Sequence, residues 1–290
     1  FSTAESYDAL CSWSVATAIQ YCPPQTRRVF VQQLNDMPLE LPFWRMVDVI
    51  VPASATHGRY LARWQPPGAS VAWVPLYGGV VPDLWKDAPA WPLRKRVVSW
   101  WSSPDRGLHH LLSIWPRVRR EVPDAELRIA YHAYRFIDGM RDELMFGEGA
   151  WRARALEASL KEARRAGGVN ILGPIGRRAL AKHQGETKVW AFTFDPLMGT
   201  EGLCVSSSEA IAAGCWPIAR PDDALREVYD GFVQWVPSSV CDDAWRERFA
   251  DAVVHALRAD VNPYEARSKE FCRLFTWEAA GRALERACQL

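Results

Sequence analysis

The sequence predicts an α/β protein built on parallel sheets in two units, the first short and the second of ordinary size. Three observations carry this. Beyond residue 92, strand-like and helix-like runs alternate without interruption, the pattern of parallel strands joined by helices. Upstream, three short β-type runs recur with room for a helix or loop between them. Between the two lies Tyr77-Gly78-Gly79-Val80-Val81-Pro82, followed by Ala88-Pro89-Ala90-Trp91-Pro92, whose Gly and Pro punctuation reads as an interdomain connection.

Taken in order, residues 28–33, 47–52 and 70–74 are expected strands, at most half of a doubly wound domain. After the boundary, 96–101 reads as a strand and 104–122 as a helix, with Leu108, Leu111, Leu112, Trp115 and Val118 at helical spacing. Residues 125–130 form the next strand, and 142–166 a long polar helix. A strand at 169–172, a helix at 177–183 and a strand at 188–194 follow. A helix at 203–213 is closed by Gly214, and 216–219 is the strand it feeds. Residues 244–258 and 277–287 are the closing helices.

The composition is that of a globular chain: 290 residues, 49% hydrophobic and 24% charged, with 15 Trp to fill more than one core. Disorder and collagen-like structure are excluded. Lys plus Arg (35) and Asp plus Glu (34) balance to +1, so no general field draws the chain to nucleic acid or anionic lipid. The seven cysteines, Cys11, Cys22, Cys204, Cys215, Cys241, Cys272 and Cys288, are odd in number and form no CxxC pair. They read as reduced thiols of a cytoplasmic, reducing compartment. No apolar run reaches the roughly 18 residues of a membrane span, and residues 1–10 lack the order of a signal peptide. Phe at position 1 fits a processed chain, a fragment, or a sequence that starts inside a longer protein.

Two constellations carry chemistry. In Ser102-Ser103-Pro104-Asp105-Arg106-Gly107-Leu108, Ser103 is an expected N-cap and Pro104 the first helical residue. A helix start offers free N–H groups and a positive dipole end, and Arg106 adds a fork of donors, so a phosphate can dock there. The alternative is a capped surface helix with a solvated Arg. In Gly199-Thr200-Glu201-Gly202-Leu203-Cys204-Val205-Ser206-Ser207-Ser208-Glu209, one carboxylate precedes a helix and another lies inside it. The amides of Gly202, Leu203 and Cys204 can hold an anion, and Glu209 can accept hydrogen bonds from vicinal hydroxyls such as those of a ribose. Alternatively Glu201 caps the helix electrostatically and Glu209 faces solvent.

These residues resemble one family. The run from Val97 to Leu108, the Glu201-to-Glu209 block with its continuation to Pro217, and Phe275-Thr276-Trp277-Glu278 are similar, in order and separation, to the nucleotide-sugar-dependent glycosyltransferases of the family-four, GT-B type. Trp115-Pro116, the 122–127 segment, the 168–173 loop and a variant pre-linker segment, Val74 to Val80, also fit.

The resemblance implies two Rossmann-like domains facing across a cleft. Residues 1–92 are then a truncated acceptor-side domain, 93–262 the nucleotide-sugar-binding domain, and 263–290 helices that pack back toward the first. By position, Arg106 matches the basic residue on the diphosphate and Glu201 the acid that touches the transferred sugar. Ser103, Gly173 and the Gly202-Leu203-Cys204 backbone fall on the donor side, and Glu209 matches the acid that binds the ribose. The implied chemistry is retaining transfer from a UDP- or GDP-linked sugar, without metal or cofactor, to a glycan, lipid, protein or modified-DNA acceptor.

The departures matter too. Ser99-Trp100 stands where the family has a second basic clamp, and no His follows the 29–33 strand, leaving Asp36 and His57 as the acceptor-side candidates. An upstream segment or a partner chain is expected to complete the first domain. The competing expectation is a catalytically reduced module serving as an interaction subunit. His57 otherwise reads as a surface histidine at a helix start, and Asp222-Asp223 as a solvated turn or a border of the donor pocket. Arg94, Lys95, Arg96, Arg117, Arg119 and Arg120 read as a charged face. His109 and His110, as helix neighbours, are expected to point apart and share no metal.

Overall fold

The computed structural model describes residues 7–140, 149–195 and 200–289. The expected start of the polar helix at 142–148 and Gly199 lie outside the described residues. The first unit runs β1 (Ala9–Trp13), α1 (Ala16–Gln20), β2 (Arg27–Gln32), α2 (Leu41–Met46), β3 (Val49–Pro52), α3 (Ala55–Leu61) and β4 (Ala72–Trp73). Its four strands are parallel and lie in the order β1-β2-β3-β4. Strand β1 was not expected, because Ala-Leu-Cys-Ser-Trp has neither alternation nor a continuous apolar run; it survives as a half-covered edge strand.

The order explains the packing. Right-handed crossovers that step always in one direction place every connecting helix on one face of the sheet. On that face Phe30 and Ile50 meet Ile19, Phe43, Trp44 and Leu61 from α1, α2 and α3. The pleat turns Val29, Val31, Val49 and Val51 to the opposite face, where none of these helices reaches them. The last helix of the chain covers them, as described below.

The second unit runs β5 (Val97–Trp100), α4 (Leu108–Glu121), β6 (Glu126–Ile129), α5 (Ala133–Met140), α6 (Gly149–Ala166), β7 (Val169–Ile171), α7 (Arg177–Glu186), β8 (Val189–Phe192), α8 (Val205–Ala212), β9 (Trp216–Ala219), α9 (Asp223–Tyr229), β10 (Gln234–Trp235) and α10 (Asp243–Arg258). The sheet order is β10-β9-β8-β5-β6-β7, all parallel. The chain steps outward from β5 to β7 and then returns to the other side of β5 with β8. That reversal makes the carboxyl ends of β5 and β8 the switch point where a doubly wound sheet opens its ligand crevice. Trp100, Trp115, Trp190 and Trp245 are fully buried around this sheet.

Two helices close the chain, α11 (Glu265–Leu274) and α12 (Trp277–Gln289). Ala280, Ala283, Leu284 and Ala287 make one stripe of α12 and pack on the valine face of the first sheet. The chain therefore crosses between the units twice, and the crossings touch. Val80 N donates to Phe275 O at 3.0 Å, and Val80 bridges Thr276. Gly79 is required there, because a Cβ would lie 2.4 Å from Trp277 N.

Not all the expected charged face is a face. Arg94 is 9% exposed and donates to the carbonyls of Pro89, Thr187 and Ala213, so it ties the connection to the second core. Arg117 pairs with Glu121, Glu247 and Asp251, and Arg119 donates to Ala125 O. All seven cysteines are free; the Sγ atoms of Cys11 and Cys288 lie 3.5 Å apart across β1 and α12.

Candidate donor cleft

A cleft of about 550 Å³ opens at the switch point, between the loop after β2 and the loops after β5 and β8. Gln33, Leu34, Asn35 and Ala53 line one wall; Trp101 to Ser103, Arg106, Glu201 to Ser206 and Glu209 line the other. Both walls are carboxyl ends of parallel strands, so the two sheets face one another across it.

The turn that carries Arg106 differs from the expected helix start. Pro104–Arg106 is one 3-10 turn, Ser103 makes no side-chain cap, and α4 begins only at Leu108. Gly107 separates the two with φ of 109°, and a Cβ there would meet Thr193 O at 1.9 Å. The left-handed glycine breaks the helix because the turn presses directly on the end of β8; Asp195 N also donates to Arg106 O at 3.2 Å. Arg106 is thereby pointed across the cleft floor, with Nη1 donating to Thr200 O at 3.2 Å and lying 3.8 Å from Glu201 Oε2.

Glu201 is 9% exposed, and burial pushes its carboxyl up against the opposing influence of Arg106. Its Oε1 accepts from Cys204 N at 2.9 Å and, more weakly, from Leu203 N at 3.5 Å. Two of the three amides expected to cradle an anion, those of Leu203 and Cys204, are thus engaged by the carboxylate upstream, which reaches forward onto the helix start as a capping acid does. Oε1 is anchored and Oε2 is the oxygen turned toward Arg106. Asp223, at φ of 46°, accepts from Glu201 N at 3.1 Å, while Asp222 pairs with the buried Arg220 at 2.7 Å. Asp223, though exposed, thus braces the Glu201 loop, while the half-buried Asp222 is held on Arg220.

Glu209 faces the cleft from α8 and does not point to open solvent. Gln184 Nε2 donates to its Oε2 at 2.8 Å, and Trp85 Nε1 donates to Gln184 Oε1 at 2.9 Å. Burial raises the Glu209 carboxyl, with the Gln184 hydrogen bond opposing. Gln184 was missed from the sequence, since an amide on a polar helix carries no signal of its own. Trp101 was also passed over: its ring walls the cleft and its Nε1 donates to Ser206 O at 3.3 Å.

Gly173 follows β7 with φ of 69° and lies outside the cleft lining. Trp100 is buried against Phe192, so Arg106 is the one basic side chain among the described residues lining the cleft. Asp36 is exposed and off the lining, and its neighbour Asn35 enters instead, with Nδ2 donating to Thr200 O at 2.9 Å across the cleft.

His57 is fully buried and not on the surface. Ala53 N donates to its Nδ1 at 3.1 Å, which leaves the proton on Nε2 to donate to Leu34 O at 3.1 Å. Both ring nitrogens are occupied, and burial pushes its pKa down. The ring packs flush on Gly202, where a Cβ would come within 3.2 Å of it. His57 shapes the floor between the two units and offers no lone pair to a ligand.

His109 and His110 do not point apart as expected. Both sit in the first turn of α4, where side chains lean back toward the N-terminus and over the end of β8. Their rings lie 3.9 Å apart, and their Nε2 atoms are 3.7 and 3.6 Å from the same Asp195 Oδ2. Burial, then the neighbouring His110, pushes His109 down to about 4.

No protein-family model and no curated protein sequence matches the chain. Solved structures do. A glycosyltransferase of avilamycin A biosynthesis, AviGT4, superposes with a TM-score of 0.67 at 14% identity, over 98% of this chain and 74% of its own. Anabaena HepE, solved with UDP and glucose, gives 0.67 at 12% identity over 98% and 78%. The α,α-trehalose 6-phosphate synthase of Burkholderia multivorans gives 0.67 at 14% over 97% and 70%. With two facing parallel sheets, a doubly wound second unit and a final helix returning to the first, the chain has the GT-B glycosyltransferase fold.

Proposed function

We propose that the chain transfers a glycosyl group from a UDP- or GDP-linked sugar with retention of configuration, without metal or cofactor in the transfer step. One observation carries this reading: Arg106 from one segment, and Glu201 and Glu209 from another some ninety residues later, converge on one cleft at the switch point. In this reading Arg106 and the amino end of α8 stabilise the charge that develops on the departing diphosphate. Glu201, anchored through Oε1, presents Oε2 to the transferred sugar. Glu209, oriented by Gln184, accepts hydrogen bonds from the ribose, and Trp101 offers an apolar wall to the nucleoside.

The UDP in the HepE complex supports a nucleoside-diphosphate donor by analogy of fold. The acceptor enters from the wall of Leu34 and Asn35, and a glycan, lipid, protein or modified-DNA hydroxyl fits the proposal equally. A reducing cytoplasm, and an upstream segment or partner completing the first sheet, belong to the same proposal.

Calorimetric titration with UDP, GDP and ADP, followed by turnover of the matching sugar nucleotides, tests it. One nucleotide is expected to bind, with slow donor hydrolysis lost in Glu201→Ala. Absence of binding by all three nucleotides overturns the reading.

A further inference from the structure

A three-sided nest of ligand atoms sits immediately behind the cleft floor, outside the cleft itself. We propose that His109, His110 and Asp195 form a structural site for a divalent transition metal of the zinc type, with water as its fourth ligand.

The geometry is that of an open site, with each histidine a few tenths of an ångström too far from the carboxylate and the whole set spread over no more than 4.8 Å. One ring nitrogen from each histidine and a carboxylate oxygen all lie within 4.8 Å of one another. The two nitrogen-to-oxygen distances are 3.7 and 3.6 Å. Ligands held about 2.0–2.1 Å from a tetrahedral zinc are roughly 3.3 Å apart, so an inward movement of the two imidazoles, up to about 1.5 Å between them, closes the set. Two imidazoles and a carboxylate select zinc, cobalt or nickel over magnesium or calcium, which take all-oxygen sets.

A second observation is independent of the spacing. His110 is 5% exposed, and its Nε2 is buried without a hydrogen-bond partner. At 3.6 Å from Asp195 Oδ2 it is beyond hydrogen-bond reach. A buried ring nitrogen without a partner costs on the order of the desolvation of that group, and a bound ion is one of the few arrangements that removes the cost. The His109 side chain, 16% exposed, marks the side from which a metal and its water can enter.

Arg246 opposes the site and thereby makes it testable. Its Nε points at His110 Nδ1 from 3.4 Å. Metal on Nε2 places the ring proton on Nδ1, so the two donors then face one another and Arg246 must swing away. Its side chain is 31% exposed and paired with Asp243 at the surface, which allows the movement. The metal would pin the first turn of α4 to the end of β8, and so fix the Gly107 turn that follows Arg106.

The test uses the untagged full chain, stripped with chelator and dialysed. Zinc is titrated against a competing chromophoric chelator, and cobalt is added separately to read ligand-field absorption in the visible. One equivalent of zinc is expected to bind, with a rise in melting temperature and a tetrahedral cobalt spectrum. His110→Gln and Asp195→Asn are expected to weaken binding at least 100-fold. Because those two are buried and can impair folding, His109→Gln, at the rim, serves as the second variant with the same expectation. Arg246→Ala is expected to tighten binding. Sub-stoichiometric zinc on the wild-type chain, or affinity unchanged in His109→Gln, overturns the proposal.

Discussion

Glu227 holds the two units together, and removing it is expected to open the cleft by a calculable amount. Helix α3 begins with three N–H groups that need partners. His57 N donates to Ser54 Oγ at 3.0 Å, the helix's own cap. The other two are capped from the opposite unit: Ala55 N and Thr56 N donate to the Glu227 carboxylate on α9 at 2.9 and 2.6 Å. Thr56 Oγ1 and Tyr77 OH donate to it as well, at 2.5 and 2.8 Å. Arg59 stands 3.6 Å away with a side chain 72% exposed, so it contributes little.

When the units part, water replaces each partner. Four partly solvated bonds at about 0.5 kcal/mol each, plus about 0.5 kcal/mol from the positive end of α3, amount to about 2–3 kcal/mol. Glu227→Ala is therefore expected to shift the closed-to-open ratio by roughly 30- to 150-fold. Small-angle scattering reads the change as a larger radius of gyration, and a double-mutant cycle with Tyr77→Phe isolates one bond at about 0.5 kcal/mol or more. Burial pushes the Glu227 carboxyl up, but the hydrogen bonds from Thr56, Tyr77 and the α3 amides outweigh it and hold the pKa below the ordinary value. The latch is then complete above the unfolded pKa of about 4.3 and is lost as pH falls through the lower folded value. Wild-type scattering unchanged by Glu227→Ala at pH 7, together with coupling to Tyr77 below about 0.3 kcal/mol, would refute the reasoning.

Four further outcomes are expected. Arg106→Ala lowers donor turnover about 10²–10³-fold while leaving the fold intact by circular dichroism. Glu201→Gln abolishes turnover yet raises the melting temperature at pH 7, because a buried carboxyl whose pKa is raised favours the folded state less as pH climbs past its unfolded pKa; an unchanged or lower melting temperature counts against this. Gly107→Ala, which combines a φ of 109° with a Cβ 1.9 Å from Thr193 O, costs about 3 kcal/mol or more in urea unfolding. Gln184→Ala strands the buried Trp85 Nε1 and releases Glu209, costing about 1–3 kcal/mol and weakening nucleotide affinity about tenfold in calorimetry.

The second sheet was legible because its strands are buried on both faces and its helices are long, so Val97 to Trp100 and Val189 to Phe192 stand out as apolar runs between periodic segments. The pairing of Arg106 with the Glu201-to-Glu209 block was implied by the family resemblance; each alone falls at a strand-to-helix turn but does not say that it meets the other. What stayed hidden was set by contacts between segments far apart in the chain. Nothing near His57 says that Gly202, 145 positions away, will seal it from water. Nothing in His109-His110 says that a left-handed Gly107 will tilt the first turn of α4 onto Asp195. Short edge strands such as β1, and α5, which no stretch of the sequence singled out, lack the length for a periodic signal.

The interdomain contacts divide into a pivot and a latch. At the pivot, Gly79 and Thr276 bring the two crossings into backbone contact, with Val80 bonded to Phe275 O, so this edge cannot part without breaking main-chain bonds. At the latch, Glu227 is partly solvated and every partner it holds can be replaced by water at modest cost. The cleft with Glu201 and Arg106 is also spanned by Asn35 Nδ2 on Thr200 O. Any opening is therefore expected to be directed: rotation about the Gly79 and Thr276 crossings would separate Leu34 and Asn35 from the Glu201 loop, while Gln184 and Glu209, which both belong to the second unit, would keep their relation. A donor-side ligand held by the second unit alone should then bind almost equally in open and closed forms. Only a group that also touches the Leu34 and Asn35 wall can favour closure, so under the proposed function the acceptor, more than the nucleotide, is expected to engage the Glu227 latch.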